Sequence, residues 1–212
     1  MGNITYQNQL DYLKSLRKDS DELILKMEKL AEEKSIPILD WKSAELLEQT
    51  ILMKRPKRVL EIGTAIAYST IRIARKLRKK SYIDTIEKSK NNIKLAGEFI
   101  SQAKLNNINI LEGDALKIMP GLEKKYDLIF LDADKQDYEK LFFFSLMLLK
   151  KNGVLFVDNL LWHGYAAMNK PPKEYERSSA LIKDFNKLFV FQDSLDVTII
   201  PVGDGIGIGV KK

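Results

Sequence analysis

The sequence predicts an α/β fold: a mostly parallel, doubly wound sheet of seven strands with helices on both faces, an antiparallel hairpin at the C-terminal edge and extra helices at the N-terminus. Three observations carry this. From residue 58, short apolar runs alternate with amphipathic segments at the spacing of strand–helix–strand units. The inner runs "RVLEI", "YDLIFLD" and "GVLFVDN" are almost continuously apolar, as strands buried on both faces must be. The chain then closes on two β-rich runs, "SLDVTIIPV" and "GIGIGVKK", joined through Gly203-Asp204-Gly205, and an Asp-Gly step between such runs signals a hairpin. Residues 1–212 are expected to form a single domain, with 1–54 a helical appendage and 55–212 the sheet-bearing core.

The elements follow in order. "YQNQLDYLKSL" and "DELILKMEKLAEEK" place apolar residues at helical spacing, with Asp19 and Glu22 set like a capping pair and Pro37 closing the segment. Asp40 stands before "WKSAELLEQTILMK" as a candidate cap for a third helix. "RVLEI", "YIDTIE", "INILEG", "YDLIFLD" and "GVLFVDN" are strands. "YSTIRIARKLRK", "SKNNIKLAGEFISQAKL" and "YEKLFFFSLMLLK" are the helices between them, and "SALIKDFNKLFVF" begins as a helix before the final hairpin.

Composition excludes several functions. The chain has no cysteine, so disulfides, zinc–thiolate centres and thiol nucleophiles are ruled out, which fits a reducing compartment. The N-terminal stretch lacks an apolar signal-peptide core, and "LFFFSLMLL" is too short to span a bilayer. A cytoplasmic protein without a membrane partner is therefore expected. Lysine and arginine exceed aspartate and glutamate by 35 to 29, a net charge of +6 that permits an anionic partner such as nucleic acid without requiring one.

Ligands of open α/β sheets bind beyond the carboxyl ends of the strands. The first strand ends in "EIGTAIAYST", with one glycine, Gly63, where a dinucleotide site would place three. Glu61 offers a carboxylate that can face a cation such as a sulfonium or ammonium, and Ser69 a hydroxyl donor for an anionic group at the following helix N-terminus. Glu87, ending the second strand, stands where ribose hydroxyls are bound in this architecture. Asp114 can accept from an adenine amino group while Ala115 lets the base approach. Asp132 closes strand four; Asp158 and Asn159 close strand five. Two carboxylates and an amide oxygen supply half of an octahedral shell for Mg²⁺ or Mn²⁺. Lys135, three residues beyond Asp132, is a candidate base. Asp134 and Asp137 are assigned to helix capping or to supporting the direct ligands from behind. Each residue also has a plain structural reading as a turn, a cap or a solvated side chain.

Together "VLEIGTAIAYST", "TIEKSK", "EGDAL", "LDADKQDY" and "VDNLLWHG" resemble the motifs of the cation-dependent O-methyltransferases of the catechol and caffeoyl-CoA type. The resemblance covers roughly residues 35–212. It implies a Rossmann-like class I methyltransferase domain that binds S-adenosylmethionine (SAM) and a divalent cation. Leu39, Glu61, Gly63, Thr64, Ser69, Glu87, Asp114, Ala115 and Asp132 would bind the cofactor. Asp132, Asp158 and Asn159 would hold the metal, and Lys135, with Asp132, would form the catalytic set. Ala67 stands where the family usually has glycine; if it takes a positive φ, alanine costs on the order of 1 kcal/mol.

"IPILD", "EIGTAIAYS" and the ending "IIPVGDGIGIGVKK" are similar to the branch that methylates 5-hydroxyuridine at the wobble position of bacterial tRNA. That implies a tRNA anticodon loop as substrate, with the basic run "RIARKLRKK" and Lys170, Lys173 and Arg177 available to phosphates, and a homodimer. A small catechol-type acceptor on the same machinery, and a non-catalytic binding module, are the competing readings. Trp162 and His163 could form a wall for a stacked base.

Overall fold

The computed structural model describes residues 7–17 and 21–212. The chain divides into two compact units, residues 1–36 and 37–212. In the first, helix α1 (Gln7–Ser15) is followed by α2 (Glu22–Lys34). The side chain of Asp21 caps α2, accepting from the amides of Leu23 and Ile24 at 3.0 and 3.3 Å. Asp19, read from the sequence as part of a capping pair, lies outside the described residues. A bidentate ion pair joins the Arg17 guanidinium to the Glu28 carboxylate at 2.9 and 3.3 Å.

The second unit opens with α3 (Trp41–Lys54), capped by Asp40, whose side chain accepts from the Lys42 amide at 3.0 Å. Alternation follows as expected: β1 (Arg58–Ile62), α4 (Tyr68–Lys76), β2 (Tyr82–Glu87), α5 (Lys90–Ala103), β3 (Ile108–Glu112), α6 (Ala115–Ile118), β4 (Tyr126–Leu131), α7 (Tyr138–Leu148), β5 (Leu149–Val157), α8 (Glu176–Val190), β6 (Leu195–Ile200) and β7 (Ile206–Lys211). The strands form one seven-stranded sheet in the order β3-β2-β1-β4-β5-β7-β6. The first five are mutually parallel; β7 runs antiparallel to both β5 and β6. Among the described residues no helix is long and apolar enough to cross a membrane.

The inner strands β1, β4 and β5 are buried along most of their length, whereas β3, at the sheet edge, is only half covered. Aromatic packing ties α7 to α8: the ring of Phe142 meets those of Phe185 and Phe189 edge-on at 5.6 and 5.8 Å. Truncating a phenylalanine so enclosed costs about 3–5 kcal/mol.

Two local conformations shape the end of the sheet that carries the site. Gly63 follows β1 with φ +104°, and a Cβ there would lie 1.8 Å from the carbonyl oxygen of Asp132. Only glycine lets the loop pass this close to the end of β4. Ala65 and Ala67 have φ of 46° and 68°, so the alanine at 67 does carry left-handed strain, on the order of 1 kcal/mol.

The basic run of α4 sits at the other end of the sheet. Arg58 pairs with Tyr82 in register, so residues 76–81 lie level with the start of β1, not with its carboxyl end. Arg72, the first cation of the run, is buried: it donates to Glu48 at 2.6 Å and to the Tyr68 hydroxyl at 2.7 Å, tying α4 to α3. The run therefore does not border the strand ends where ligands bind.

Candidate active site

A cavity of about 660 Å³ opens at the carboxyl ends of β1, β2, β4 and β5. Gly63, Glu87, Asp114, Ala115 and Asp132 line it, as do Lys135, Asp158, Asn159, Trp162 and His163. Leu39, Glu61, Thr64 and Ser69, expected in the cofactor set, are buried and do not reach the lining.

Glu61 shows why. Its carboxylate accepts from Ser69 Oγ at 2.5 Å, from Thr85 Oγ1 at 2.6 Å and from the Thr70 hydroxyl. Burial pushes its pKa up to about 7, against the pull of those three hydroxyls. Thr64 Oγ1 joins the same network through Thr85 Oγ1 at 2.6 Å. Ser69, expected to donate to an anionic group on a ligand, instead donates to Glu61. This buried knot fixes the floor on which the first loop rests.

The lining residues are held by backbone amides. Glu87 accepts from the Ala65 amide at 2.9 Å and the Ser89 amide at 2.8 Å. Asp114 caps α6, accepting from the Leu116 amide at 2.9 Å. Each carboxylate keeps lone pairs for a ligand.

Parallel pairing assembles the oxygen cluster. Leu131 and Val157 are register partners, so Asp132 and Asp158 stand one step beyond a shared rung. The Asp158 amide donates to the Leu131 carbonyl at 3.1 Å, and the Asp132 amide to the Ile62 carbonyl at 3.0 Å. Lys135 enters between them. Its Nζ donates to Asn159 Oδ1 and to the Tyr138 hydroxyl, both at 2.6 Å, and lies 3.7 Å from Asp132 Oδ1. Tyr138 in turn donates to the Asp158 carbonyl at 3.1 Å.

Three carboxyl groups, those of Asp132, Asp158 and Asp204, act on the amino group of Lys135. Burial, then the field of Asp132, pushes the Asp158 carboxyl up to about 8. Burial likewise raises Asp132 and lowers Lys135. An all-oxygen donor set in a site short of positive charge fits a hard divalent cation. Among the described residues no three His, Cys, Asp or Glu side chains cluster closely enough to form such a centre by themselves; the set expected from the sequence takes its third donor from an amide.

Asp204 and Tyr138 escaped the sequence reading. Asp204 belongs to the β6–β7 turn and looked like a turn residue, yet it lines the cavity. Asp134 and Asp137 make no side-chain caps; Asp134 pairs with exposed Lys88 instead. The rim is aromatic: Tyr165 and Tyr175 stack at 4.6 Å, and His163 lies 5.2 Å from Trp162. Trp162 is pinned by its indole N–H, which donates to Ser178 Oγ at 2.8 Å.

Known proteins share this fold. The sequence model of the O-methyltransferase family matches residues 8–212. Caffeoyl-CoA O-methyltransferase 1 of Arabidopsis thaliana is 30% identical over 174 residues, covering 77% of this chain and 67% of that protein. A solved Staphylococcus aureus structure, provisionally assigned as a caffeoyl-CoA O-methyltransferase, superposes with a TM-score of 0.87 at 28% identity, covering 97% of this chain and 98% of that one. The O-methyltransferase TomG of Streptomyces achromogenes, involved in tomaymycin synthesis and solved with SAM, gives 0.84 at 25% identity, covering 95% and 94%. The chain belongs to the O-methyltransferase family.

Proposed function

We propose that this enzyme is a SAM- and divalent-cation-dependent O-methyltransferase that converts 5-hydroxyuridine at the wobble position of tRNA to 5-methoxyuridine. SAM-dependent O-methyl transfer follows from family membership and from the solved relative that holds SAM. The observation that carries the mechanism is the convergence of Asp132 and Asn159 on Lys135 Nζ, with Asp158 one step beyond the same β4–β5 rung, beside a cavity of ligand size.

Bound SAM supplies the methyl on a sulfonium sulfur; the S–C bond breaks as the new O–C bond forms, leaving a neutral thioether. A bound Mg²⁺ or Mn²⁺ would supply Lewis acidity that favours the ionised form of the acceptor hydroxyl. Asp132, Asp158 and Asn159 would hold the cation. Lys135, whose burial favours the neutral amine, takes the hydroxyl proton at Nζ. Glu87 and Asp114 present acceptors to the ribose and adenine of the cofactor. Trp162 and His163 offer a wall against which a planar acceptor stacks, and ordered walls turn a bimolecular displacement into a positioned one. Lys170 and Lys173, between β5 and α8, and Arg177, in the first turn of α8, are exposed and available to phosphates. A homodimer is part of this reading; a solution mass of twice 24.4 kDa is expected by light scattering.

The distance of the basic run of α4 from the cavity favours a second reading, a small catechol-type acceptor. Purified enzyme, offered tRNA bearing 5-hydroxyuridine and catechols in parallel, decides between them. The proposal expects tRNA methylation that stops in EDTA and falls steeply with salt. Cells without the gene should accumulate 5-hydroxyuridine by nucleoside mass spectrometry. Turnover of catechols alone would replace tRNA by the second reading.

A further inference from the structure

The β6–β7 turn is clamped to the end of β5. The amide of Leu160 donates to the Gly205 carbonyl at 2.9 Å, and that of Leu161 to the Asp204 carbonyl at 2.8 Å. The flanking glycines permit this contact: φ is +58° at Gly203 and +86° at Gly205, and a Cβ at 205 would lie 2.5 Å from the Leu161 side chain. The clamp delivers the Asp204 carboxylate to the site. One oxygen accepts from Asn159 Nδ2 at 3.2 Å; the other accepts from the backbone N–H of His163.

Asn159, Trp162 and His163 all have positive φ, at 60°, 48° and 56°, a strained run for non-glycine residues. An amide side chain can also present either its oxygen or its nitrogen by a flip about χ2. With a carboxylate on one side and the Lys135 ammonium on the other, only one orientation satisfies both neighbours: nitrogen toward Asp204, oxygen toward Lys135.

We propose that Asp204 is a positioning residue for the O-methyltransferase centre: it fixes the Asn159 amide with Oδ1 aimed at the cation position and holds the 159–163 turn through the His163 amide. Its effect on metal affinity rests on the divalent-cation reading above; its effect on the turn does not. Both carboxylate oxygens must accept. A carboxamide at position 204 can satisfy one partner only and turns a donor toward the other.

The test exchanges the two side chains. Asp204→Asn and Asn159→Asp should each weaken Mn²⁺ binding by about 10–100-fold, the range for residues that orient metal ligands. The double variant Asn159→Asp/Asp204→Asn restores one donor facing one carboxylate and leaves an acceptor for His163. Its Mn²⁺ affinity should return to within about threefold of the parent, with S-adenosylhomocysteine binding unchanged throughout. A role through charge alone makes the opposite forecast: Asn159→Asp would tighten Mn²⁺ binding and the two changes would add. That result overturns the positioning role. Hydrogen exchange of the metal-free protein separates the two ideas. In Asp204→Leu, amides of residues 159–165 should exchange at least about tenfold faster. Unchanged exchange sinks the positioning role, whereas a parent enzyme that binds no Mn²⁺ sinks only the cation reading.

Discussion

Lys135 Nζ lies 2.6 Å from Asn159 Oδ1, although 24 residues separate the two in sequence. The contact joins the turn before α7 to the second residue after β5. The Lys135 amino group thus rests against one of the three oxygen donors proposed for a divalent cation, and both would draw on the same amide oxygen. Turnover then needs Lys135 to release Asn159 and turn toward the acceptor hydroxyl.

Replacing Lys135 by methionine keeps its length and removes its proton-accepting nitrogen. kcat should fall by about 10²–10⁴, the usual contribution of a positioned base. Mn²⁺ affinity should stay the same or increase, because a group that competes for the Asn159 oxygen is gone. Steady-state methyl transfer and an Mn²⁺ titration check the two halves; parallel losses in both would place Lys135 among structural residues.

Asp158 stands one step beyond the β4–β5 rung and takes no part in the expected cofactor set. Asp158→Ala should abolish transfer while S-adenosylhomocysteine binding, read by calorimetry, stays within about threefold, since the proposal gives Asp158 to the cation and not to the cofactor. Loss of cofactor binding would assign Asp158 to the wrong half of the cavity.

Gly63→Ala places a methyl group 1.8 Å from the Asp132 carbonyl oxygen, at a φ of +104°. Backbone on both sides leaves no flexible side chain to move aside. Destabilisation of about 2–3 kcal/mol or more is expected, read as a drop in the urea midpoint, together with weakened cofactor binding. A variant as stable as the parent would show that the crossing of the β1 loop over β4 is looser than described.

The carboxyl of Glu61 is raised from 4.5 to about 7 by burial. The folded state therefore binds more protons than the unfolded chain between these values, and stability falls as pH rises through that window. Below about 4.5 the penalty is absent; above about 7 it is complete, of the order of 3 kcal/mol. Glu61→Gln, which keeps an acceptor for the hydroxyls of Ser69, Thr70 and Thr85, should flatten the curve. Chemical denaturation of cofactor-free protein at pH 5, 6, 7 and 8 measures it. Equal slopes for parent and variant would locate the proton elsewhere.

Much of this protein was legible in the sequence because its signals are local. Apolar runs such as "YDLIFL" name buried strands, the Asp-Gly step names the last hairpin, and Asp132, Asp158 and Asn159 each stand just past the end of an apolar run, so that parallel pairing of β4 with β5 in the register of Leu131 with Val157 brings them side by side. The strand order, with β7 inserted between β5 and β6, lay beyond any local pattern. That insertion carries Asp204 to Asn159 across 45 residues. The basic run of α4 shows the reverse: it read as a phosphate contact because composition carries no direction, and the register of β1 with β2 sends it to the far end of the sheet. Glu61 read as a ligand-facing carboxylate, and only packing could surround it with three hydroxyls. Residue type and spacing determine which chemistry is available, because propensity and periodicity act over a few neighbours. Which groups meet is decided by the sheet, because the pairing of distant strands sets their distances.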